Sequence, residues 1–200
     1  MKIEIEKKFR LTSEQRVMLD SLLPEVGATF RGKAFEENII FAGQGLDQIN
    51  RILRLRRCDG KAILTYKERL TYKERLDSDR SVRRRREVET EVAPPENMIE
   101  ILSTIDVVPM LIYEKHRTTW DLANTEVTVD ELSFGLFMEI EGDEDAIRNV
   151  ESLLDRVELK VEQLTYHELV LKHGTKNGEV IEARFKSVSQ KFVVSGDEQP

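Results

Sequence analysis

The chain opens with the stretch Glu4-Ile5-Glu6-Lys7-Lys8, where charged and apolar residues alternate in a pattern typical of a β-strand. Successive side chains of a strand point to opposite faces of its sheet. One face therefore carries Glu4, Glu6 and Lys8, and the other face is mainly apolar. An ordinary half-exposed sheet would turn such a charged face to water. The same pattern returns later in the chain, however, which indicates a shared purpose.

Four later segments repeat this alternation, and each adds carboxylates or cations to one face. They are Arg54-Leu55-Arg56, Arg85-Arg86-Glu87-Val88-Glu89-Thr90-Glu91, Lys115-His116-Arg117 and Glu139-Ile140-Glu141. Carboxylate oxygens suit a hard metal ion, whereas guanidinium and ammonium groups suit phosphate. The combination indicates a site for a metal-bound polyphosphate.

The composition predicts a soluble protein with a modest core and many charges. The 200 residues suit one domain, or one domain with an appendage; 40% are hydrophobic, 34% are charged, and the formal net charge is −7. This acidic balance disfavours a nucleic-acid partner, which normally requires a basic surface. Cys58 is the only cysteine, so no intramolecular disulfide can form. No apolar run approaches the ~18 residues of a membrane span, and the N-terminus lacks the apolar region of a signal peptide. We therefore expect a cytoplasmic protein without a membrane partner.

Strand and helix patterns follow one another along the chain with short connections. Strands are predicted over residues 2–10, 34–42, 51–57, 61–67, 82–92, 111–120, 125–130 and 136–142. Helices are predicted from the capping pattern at Thr12 to Pro24, and near 96–104, 143–157 and 161–172. We predict one domain over residues 1–173, then a polar tail, 174–200, that is partly disordered but includes a strand near 180–188.

The order of the elements predicts the architecture. Short connections favour antiparallel pairing, and a sheet that is charged on one face can close into a barrel with a polar interior. Helices can then cover its apolar outside. Buried charges cost several kcal/mol each unless they are paired or bound to a ligand. We therefore predict an α+β fold, an eight-stranded antiparallel β-barrel with flanking helices, whose interior holds a charged ligand.

A short tandem repeat lies inside this pattern. Thr65-Tyr66-Lys67-Glu68-Arg69-Leu70 recurs without change as Thr71-Tyr72-Lys73-Glu74-Arg75-Leu76. Because six is an even number, a shift by one copy keeps every side chain on its original face, so either Lys67 or Lys73 can enter the site. The Asp59-Gly60 hairpin signal sets the register of the first copy. We predict that Lys67 points into the site, with Lys73 as the alternative.

Several other side chains have ordinary structural explanations. Of the four arginines from Arg83 to Arg86, about two must face outward, because side chains alternate along a strand. His116 lies between two cations in the sequence and should face away from them. Trp120 is expected in the core or at an interface. Tyr166, in a predicted helix, is expected to pack or to lie at the surface, with a plug at one barrel mouth as the alternative.

Taken in order, these segments resemble the CYTH, or triphosphate tunnel metalloenzyme, family. Glu4-x-Glu6-x-Lys8 resembles its ExExK signature, and the resemblance extends over residues 1–170. It includes Arg54-x-Arg56, the Thr-Tyr-Lys strand, Arg85-x-Glu87-x-Glu89, Glu114-Lys115-His116-Arg117, Val129-Asp130-Glu131-Leu132 and Gly135-x-Phe137-x-Glu139-Ile140-Glu141. The resemblance implies an eight-stranded antiparallel barrel whose interior binds a triphosphate and divalent metal ions.

Two sets of site residues follow from the resemblance. The metal-facing carboxylates would be Glu4, Glu6, Glu87, Glu89, Asp130, Glu139 and Glu141. The phosphate-binding cations would be Lys8, Arg54, Arg56, Lys67 or Lys73, Arg85, Lys115 and Arg117. Glu4, Glu6 and Lys8 would act directly in catalysis, with Mg²⁺ or Mn²⁺ as the cofactor.

The implied function is hydrolysis of an inorganic or small organic triphosphate. The same pocket could serve a class IV adenylyl cyclase, which converts ATP to cyclic AMP and pyrophosphate. One subgroup of those cyclases carries a His-Phe pair upstream of the first Glu, whereas here only Met1, Lys2 and Ile3 precede Glu4. A non-catalytic polyphosphate-binding module is a third alternative, because the duplication falls in a strand with a predicted ligand. The fold is compatible with a homodimer by analogy alone.

Overall fold

The computed structural model describes residues 2–47, 50–70 and 81–186, and eight strands close into an antiparallel barrel. The strands are β1 (Lys2–Leu11), β2 (Thr29–Ala42), β3 (Arg51–Cys58), β4 (Lys61–Arg69), β5 (Val82–Glu91), β6 (Val108–Leu122), β7 (Thr125–Leu132) and β8 (Gly135–Glu141). Around the barrel they follow the order β6-β2-β3-β4-β5-β1-β8-β7, and β7 pairs with β6 to close the ring. The predicted eight-stranded barrel is confirmed.

Within the described residues, four helices accompany the barrel: α1 (Ser13–Glu25), α2 (Pro95–Thr104), α3 (Glu144–Leu153) and α4 (Tyr166–His173). Helix α1 begins as predicted, because Thr12 and Gln15 exchange the two hydrogen bonds of a capping box. In the described part of the chain, no helix is both long and apolar enough to cross a membrane.

Two predicted helices are shorter in the structure. Helix α3 ends at Leu153 and is followed by a 3₁₀ turn, Asp155–Val157. Helix α4 begins at Tyr166 rather than near residue 161, because Thr165 caps it through a capping box with Glu168. The residues before it include β9 (Lys160–Val161), a short strand that pairs with β1.

Two apolar cores cover the outside of the barrel. Helices α1 and α3 bury the outward faces of β1, β7 and β8, with Leu19, Phe9 and Ile140 at the centre. Helix α2 packs over β2, β3 and β4 through Leu102, Phe41 and Leu55. These contacts use the apolar half of the alternating pattern, which leaves the charged half for the interior.

A third core fills one end of the barrel interior, which the sequence analysis did not predict. Ile40 pairs with Arg54 and with Leu111 in register, so these three side chains share the inward face. At this end most inward positions, Arg54 excepted, are apolar and pack against Leu169 and Val170 of α4. The interior is therefore polar along part of its length and apolar beneath α4.

The segment after α4 also joins the sheet. Strands β10 (Thr175–Asn177) and β11 (Val180–Ala183) form a hairpin, and β11 pairs in parallel with Leu111–Tyr113 of β6. The strand predicted near 180–188 is thus present at its first residues. The predicted disorder of the far tail falls beyond residue 186, outside the described residues.

Candidate functional site

The barrel encloses a cavity of about 500 Å³ lined by charged side chains from opposite walls. The predicted residues that line it are Glu4, Glu6, Lys8, Arg54, Arg56, Lys67, Arg85, Glu87, Glu89, Lys115, Arg117, Glu139 and Glu141. The structure therefore brings together residues that are up to 137 positions apart in the sequence, since the set runs from Glu4 to Glu141. Their roles in binding and catalysis stay predictions.

Lys67 lies in this cavity, at the centre of a cluster with two carboxylates. Its Nζ is 2.7 Å from Oε1 of Glu4 and 2.9 Å from Oε1 of Glu87. The register of the β3–β4 hairpin matches the prediction, with Thr65 opposite Arg54. Lys73 and the rest of the second repeat lie outside the described residues, so the alternative assignment stays open.

Lys8 is the most deeply buried cation on β1. Its side chain is 2% exposed, and its Nζ lies 3.2 Å from Oε1 of Glu139. Burial lowers the pKa of Lys8 to about 8, against the opposing effect of Glu139. At neutral pH the amine is therefore mostly protonated and can donate hydrogen bonds to a phosphate group.

The arrangement around Asp130 differs from that of an exposed metal ligand. Both oxygens of this fully buried carboxylate accept hydrogen bonds from Arg117, at 2.7 and 2.6 Å, and Lys115 Nζ donates to one of them at 3.1 Å. Burial alone would raise the pKa of Asp130, but Arg117 and Lys115 hold it well below its usual range. Among the predicted carboxylates, all of which lie in the described chain, Asp130 is the one that does not line the cavity. The contacts favour a role in positioning Arg117 and Lys115.

Glu36 is a functional candidate that the sequence analysis missed. It faces the barrel interior and is buried without lining the cavity, with Oε2 3.3 Å from Lys115 Nζ and 3.5 Å from Arg56 Nε. Burial would raise the pKa of Glu36, but Lys115 and the nearby arginines lower it to about 2. Glu36 and Glu37 are adjacent in the sequence, so the pattern alone did not say which of them faces inward.

Tyr166 and Glu126 also line the cavity and were not predicted there as binding residues. The Tyr166 hydroxyl donates to Oδ2 of Asp130 at 2.7 Å and the ring packs in the apolar core, so the expectation that Tyr166 packs is confirmed and a surface position is not. Burial and the Asp130 charge raise the pKa of Tyr166 well above its usual value. Charged residues lie directly opposite Glu126 on the neighbouring strands. A predicted pairing register between these strands could have revealed this pattern.

The four consecutive arginines divide between the two faces, as predicted. Arg85 lines the cavity and Arg83 lies 3.5 Å from Oε1 of Glu6, so both face inward. Arg84 faces outward and pairs with Glu144 of α3, and Arg86 shares its parity. His116 also faces outward, as predicted, and its ring packs between Phe35 and Phe185.

Carboxylates from three adjacent strands form a row near one mouth of the barrel. Glu141 of β8 lies directly opposite Glu6 of β1 on one side and Glu126 of β7 on the other. Like charges directly opposite one another destabilise a sheet, and a cation between them removes that cost. Lys2 supplies one such contact, with Nζ 2.8 Å from Glu141.

The oxygen donors of this row suit Mg²⁺ or Mn²⁺ in kind. Their positions are not yet those of a coordination shell, because the described residues contain no group of three or more His, Cys, Asp or Glu side chains gathered closely enough to hold a metal ion. Several of the carboxylates contact lysines instead. The donor chemistry therefore fits a divalent cation.

A closed antiparallel barrel with cations and carboxylates on its inner face defines a class of proteins with a charged barrel interior. Within that class, the chain belongs to the CYTH domain family, whose model matches residues 2–172. This membership confirms the resemblance drawn from the ExExK-like run and the segments that follow it. A search of curated proteins gives no matching sequence.

Solved structures share the fold over most of their length. The PH1012 protein from Pyrococcus horikoshii OT3 is 28% identical with a TM-score of 0.67, and the match covers 83% of this chain and 98% of that one. HpAC1 from Hippeastrum, named with the adenylyl cyclases and described as having a dominant triphosphatase activity, is 19% identical with a TM-score of 0.62 over 84% and 95%. A Vibrio parahaemolyticus protein, also named with the adenylate cyclases, is 18% identical with a TM-score of 0.63 over 85% and 98%. At their identities the last two show a shared fold alone.

Proposed function

We propose that the protein is a metal-dependent triphosphatase that hydrolyses an inorganic or small organic triphosphate inside the barrel. The observation that carries the proposal is the balance of charge in the cavity. Eight Lys and Arg side chains and seven Glu side chains line the same space. A site of this kind offers many hydrogen-bond donors to phosphate without carrying a large positive charge of its own.

That balance explains why a divalent cation is part of the proposal. Eight positive and seven negative side chains leave a difference of one charge on the lining, far less than a triphosphate brings. Charged groups in a low-dielectric interior require neutralisation, because unpaired buried charges are costly. When bound, Mg²⁺ or Mn²⁺ would supply charge neutralisation on the phosphate oxygens and activation of a water molecule. Glu6, Glu141 and Glu126 are the residues we expect to hold it.

The remaining chemistry belongs to the side chains of this chain. Glu139 lies between Lys8, at 3.2 Å, and Arg117, at 2.8 Å, so it fixes the separation of two phosphate-binding cations. Asp130 orients Arg117 through two hydrogen bonds in a fork geometry. Fixed cations favour phosphoryl transfer because that reaction requires mainly positioning and stabilisation of charge.

An adenylyl cyclase is the second candidate, supported by the names of two structural neighbours. It would hold ATP in the same cavity and direct the ribose 3′-hydroxyl onto the α-phosphate. The description of HpAC1 places triphosphatase activity ahead of cyclase activity in that protein, which supports our order of preference. A binding module without turnover is the third candidate.

Product analysis separates the three candidates. Purified protein is incubated with inorganic triphosphate or ATP, with Mg²⁺ or Mn²⁺, and phosphate, pyrophosphate and cyclic AMP are quantified. Phosphate release supports the triphosphatase, cyclic AMP with pyrophosphate supports the cyclase, and tight binding without either product supports the module.

Two variants connect the activity with the cavity. We expect Glu4→Gln and Glu139→Gln to abolish turnover, because each removes a carboxylate next to phosphate-binding cations. Glu131→Gln is the matched control, since Glu131 is exposed on the outward face of β7 beside Asp130. Full activity in both inward variants would overturn the assignment of the active site to this cavity.

A further inference from the structure

The cavity changes character at Tyr166, the first residue of α4. Its ring lines the cavity together with the charged groups, and it also belongs to the apolar core that contains Phe137, Leu169 and Val170, none of which lines the cavity. The Phe137 ring meets it edge to face, with the centroids 5.6 Å apart. Tyr166 therefore stands where the polar part of the interior ends and the apolar part begins.

Tyr166 is held on the polar side by three charged residues. Its hydroxyl donates to Oδ2 of Asp130 at 2.7 Å. The Nζ of Lys8 lies 3.3 Å from the ring centroid, and the Nζ of Lys115 lies 5.1 Å from it. Both ammonium groups are thus within the range of a cation–π interaction, which is attractive when the groups are shielded from water. The ring therefore helps to hold in place two lysines that are predicted to bind phosphate.

The opposite end of the cavity is open to solvent. Lys2 is 69% exposed there and Glu141 is 30% exposed, whereas Lys8 is 2% exposed. The carboxylate row at Glu6 and the Lys8 rung are two residues apart on β1, which is roughly 7 Å along a strand. A phosphate chain that lies between the row and Tyr166 must therefore be short.

We propose that Tyr166 sets the length of phosphate chain that the cavity accepts, acting as a positioning residue for Lys8 and Lys115 and as the inner stop for the chain. This inference rests on the proposed function, because it concerns the substrate of the same site. The terminal phosphate of a chain carries more negative charge than an internal one, up to about −2. The deepest cations, Lys8 and Lys115, are therefore best matched to a chain end, which contacts the two ammonium groups while the ring behind them blocks a further phosphate.

The test compares chain lengths rather than absolute rates. The ratio of kcat/KM for inorganic triphosphate to that for inorganic tetraphosphate is measured for the wild type, Tyr166→Ala and Tyr166→Phe. A ratio does not depend on the folded fraction, so a purely structural loss leaves it unchanged. Tyr66→Ala is the matched control, because Tyr66 belongs to the outward face of β4, next to inward Lys67.

We expect the wild type to prefer triphosphate by roughly tenfold, the discrimination typical of one group that a pocket cannot accommodate. Tyr166→Ala removes the stop, so the ratio should approach one. Tyr166→Phe keeps the ring and loses the hydrogen bond to Asp130; its ratio should stay at the wild-type value while both kcat/KM values fall by about tenfold. Tyr66→Ala should keep the wild-type ratio.

Two results would overturn the proposal: a wild-type ratio in Tyr166→Ala, or a shift in Tyr166→Phe as large as that in Tyr166→Ala. If the alanine variant does not fold, Tyr166→Leu takes its place, since leucine preserves apolar contact with α4 but offers no aromatic face. The same chain-length series is also measured as binding, by calorimetry. Selective binding of triphosphate without turnover would contradict the proposed function and support the role of Tyr166. Turnover with equal affinity for triphosphate and tetraphosphate would support the proposed function and contradict the role of Tyr166.

Discussion

At the scale of single residues, the charges inside the barrel hold one another in place. Glu36 shows this most directly, because it contacts Lys115 and Arg56 on the neighbouring strands without lining the cavity. Without a negative charge at this point, two buried cations would face each other across β2. Glu36 therefore acts on the site through the positions of Lys115 and Arg56.

This arrangement predicts that Glu36 makes the free energy of unfolding depend on pH in the acidic range. Its folded-state pKa, about 2, lies below the ordinary value of 4.5. Its contribution is therefore fully present above about pH 4.5 and is lost as the pH falls through 2, on the order of 3 kcal/mol in total. The free energy of unfolding in urea, measured between pH 6 and pH 2, should fall less steeply in Glu36→Gln than in the wild type.

Glu131→Gln, on the outward face of the barrel, serves as the control and should leave the slope unchanged. Equal slopes in Glu36→Gln and the wild type would show that the Glu36 carboxylate is not stabilised in its charged form by the fold.

At the scale of elements, alternation predicted most of the barrel. It placed Lys67, Arg85 and Lys115 on the inward face, and the structure has them there. It did not reveal that Ile40 and Leu111 also face inward, because an apolar residue in a strand pattern suits either a covered outside or a plugged inside. Only the position of α4 decides between these, and that position depends on long-range packing.

The C-terminal hairpin shows a second limit of the sequence pattern. Glu37 of β2 and Glu114 of β6 lie directly opposite each other and face outward. Arg184, which follows β11, contacts both carboxylates at 2.7 Å. Strand β11 thus joins β6 partly because its arginine neutralises two opposing charges. The local sequence near Arg184 does not indicate its partners, which are 70 and 147 positions away.

We predict that Arg184→Ala destabilises the fold by about 1–2 kcal/mol, because three charge-assisted hydrogen bonds, to Glu37, Glu114 and Glu182, are lost and Glu37 and Glu114 remain opposed. Adding Glu114→Gln to this variant should restore part of the loss by removing the repulsion. Urea unfolding of the single and double variants measures both effects. Arg148→Ala is the control, since Arg148 forms only exposed pairs within α3 in the described structure. A double variant that is less stable than Arg184→Ala would contradict the role of like-charge repulsion.

At the scale of the whole molecule, charge is divided between surface and interior. The chain carries a net charge of −7, yet the cavity lining is nearly balanced. An acidic surface does not attract a polyanion over long distances, so affinity must come from close contacts in the cavity and from any added cation. Ligands should therefore stabilise the folded state most when a metal ion and a triphosphate are present together.

This linkage gives a prediction for the intact protein. A ligand that binds only the folded state raises its stability, by about 2.7 kcal/mol at a concentration of 100 times Kd. We expect triphosphate with Mg²⁺ to raise the midpoint of thermal unfolding more than the sum of either alone, because the nearly balanced lining does not neutralise the substrate without the metal. Glu139→Gln should lose this joint effect, since it removes a carboxylate that contacts both Lys8 and Arg117. The exposed variant Glu131→Gln should keep it. Equal stabilisation by triphosphate in the presence of EDTA and in the presence of Mg²⁺ would show that the side chains alone neutralise the ligand.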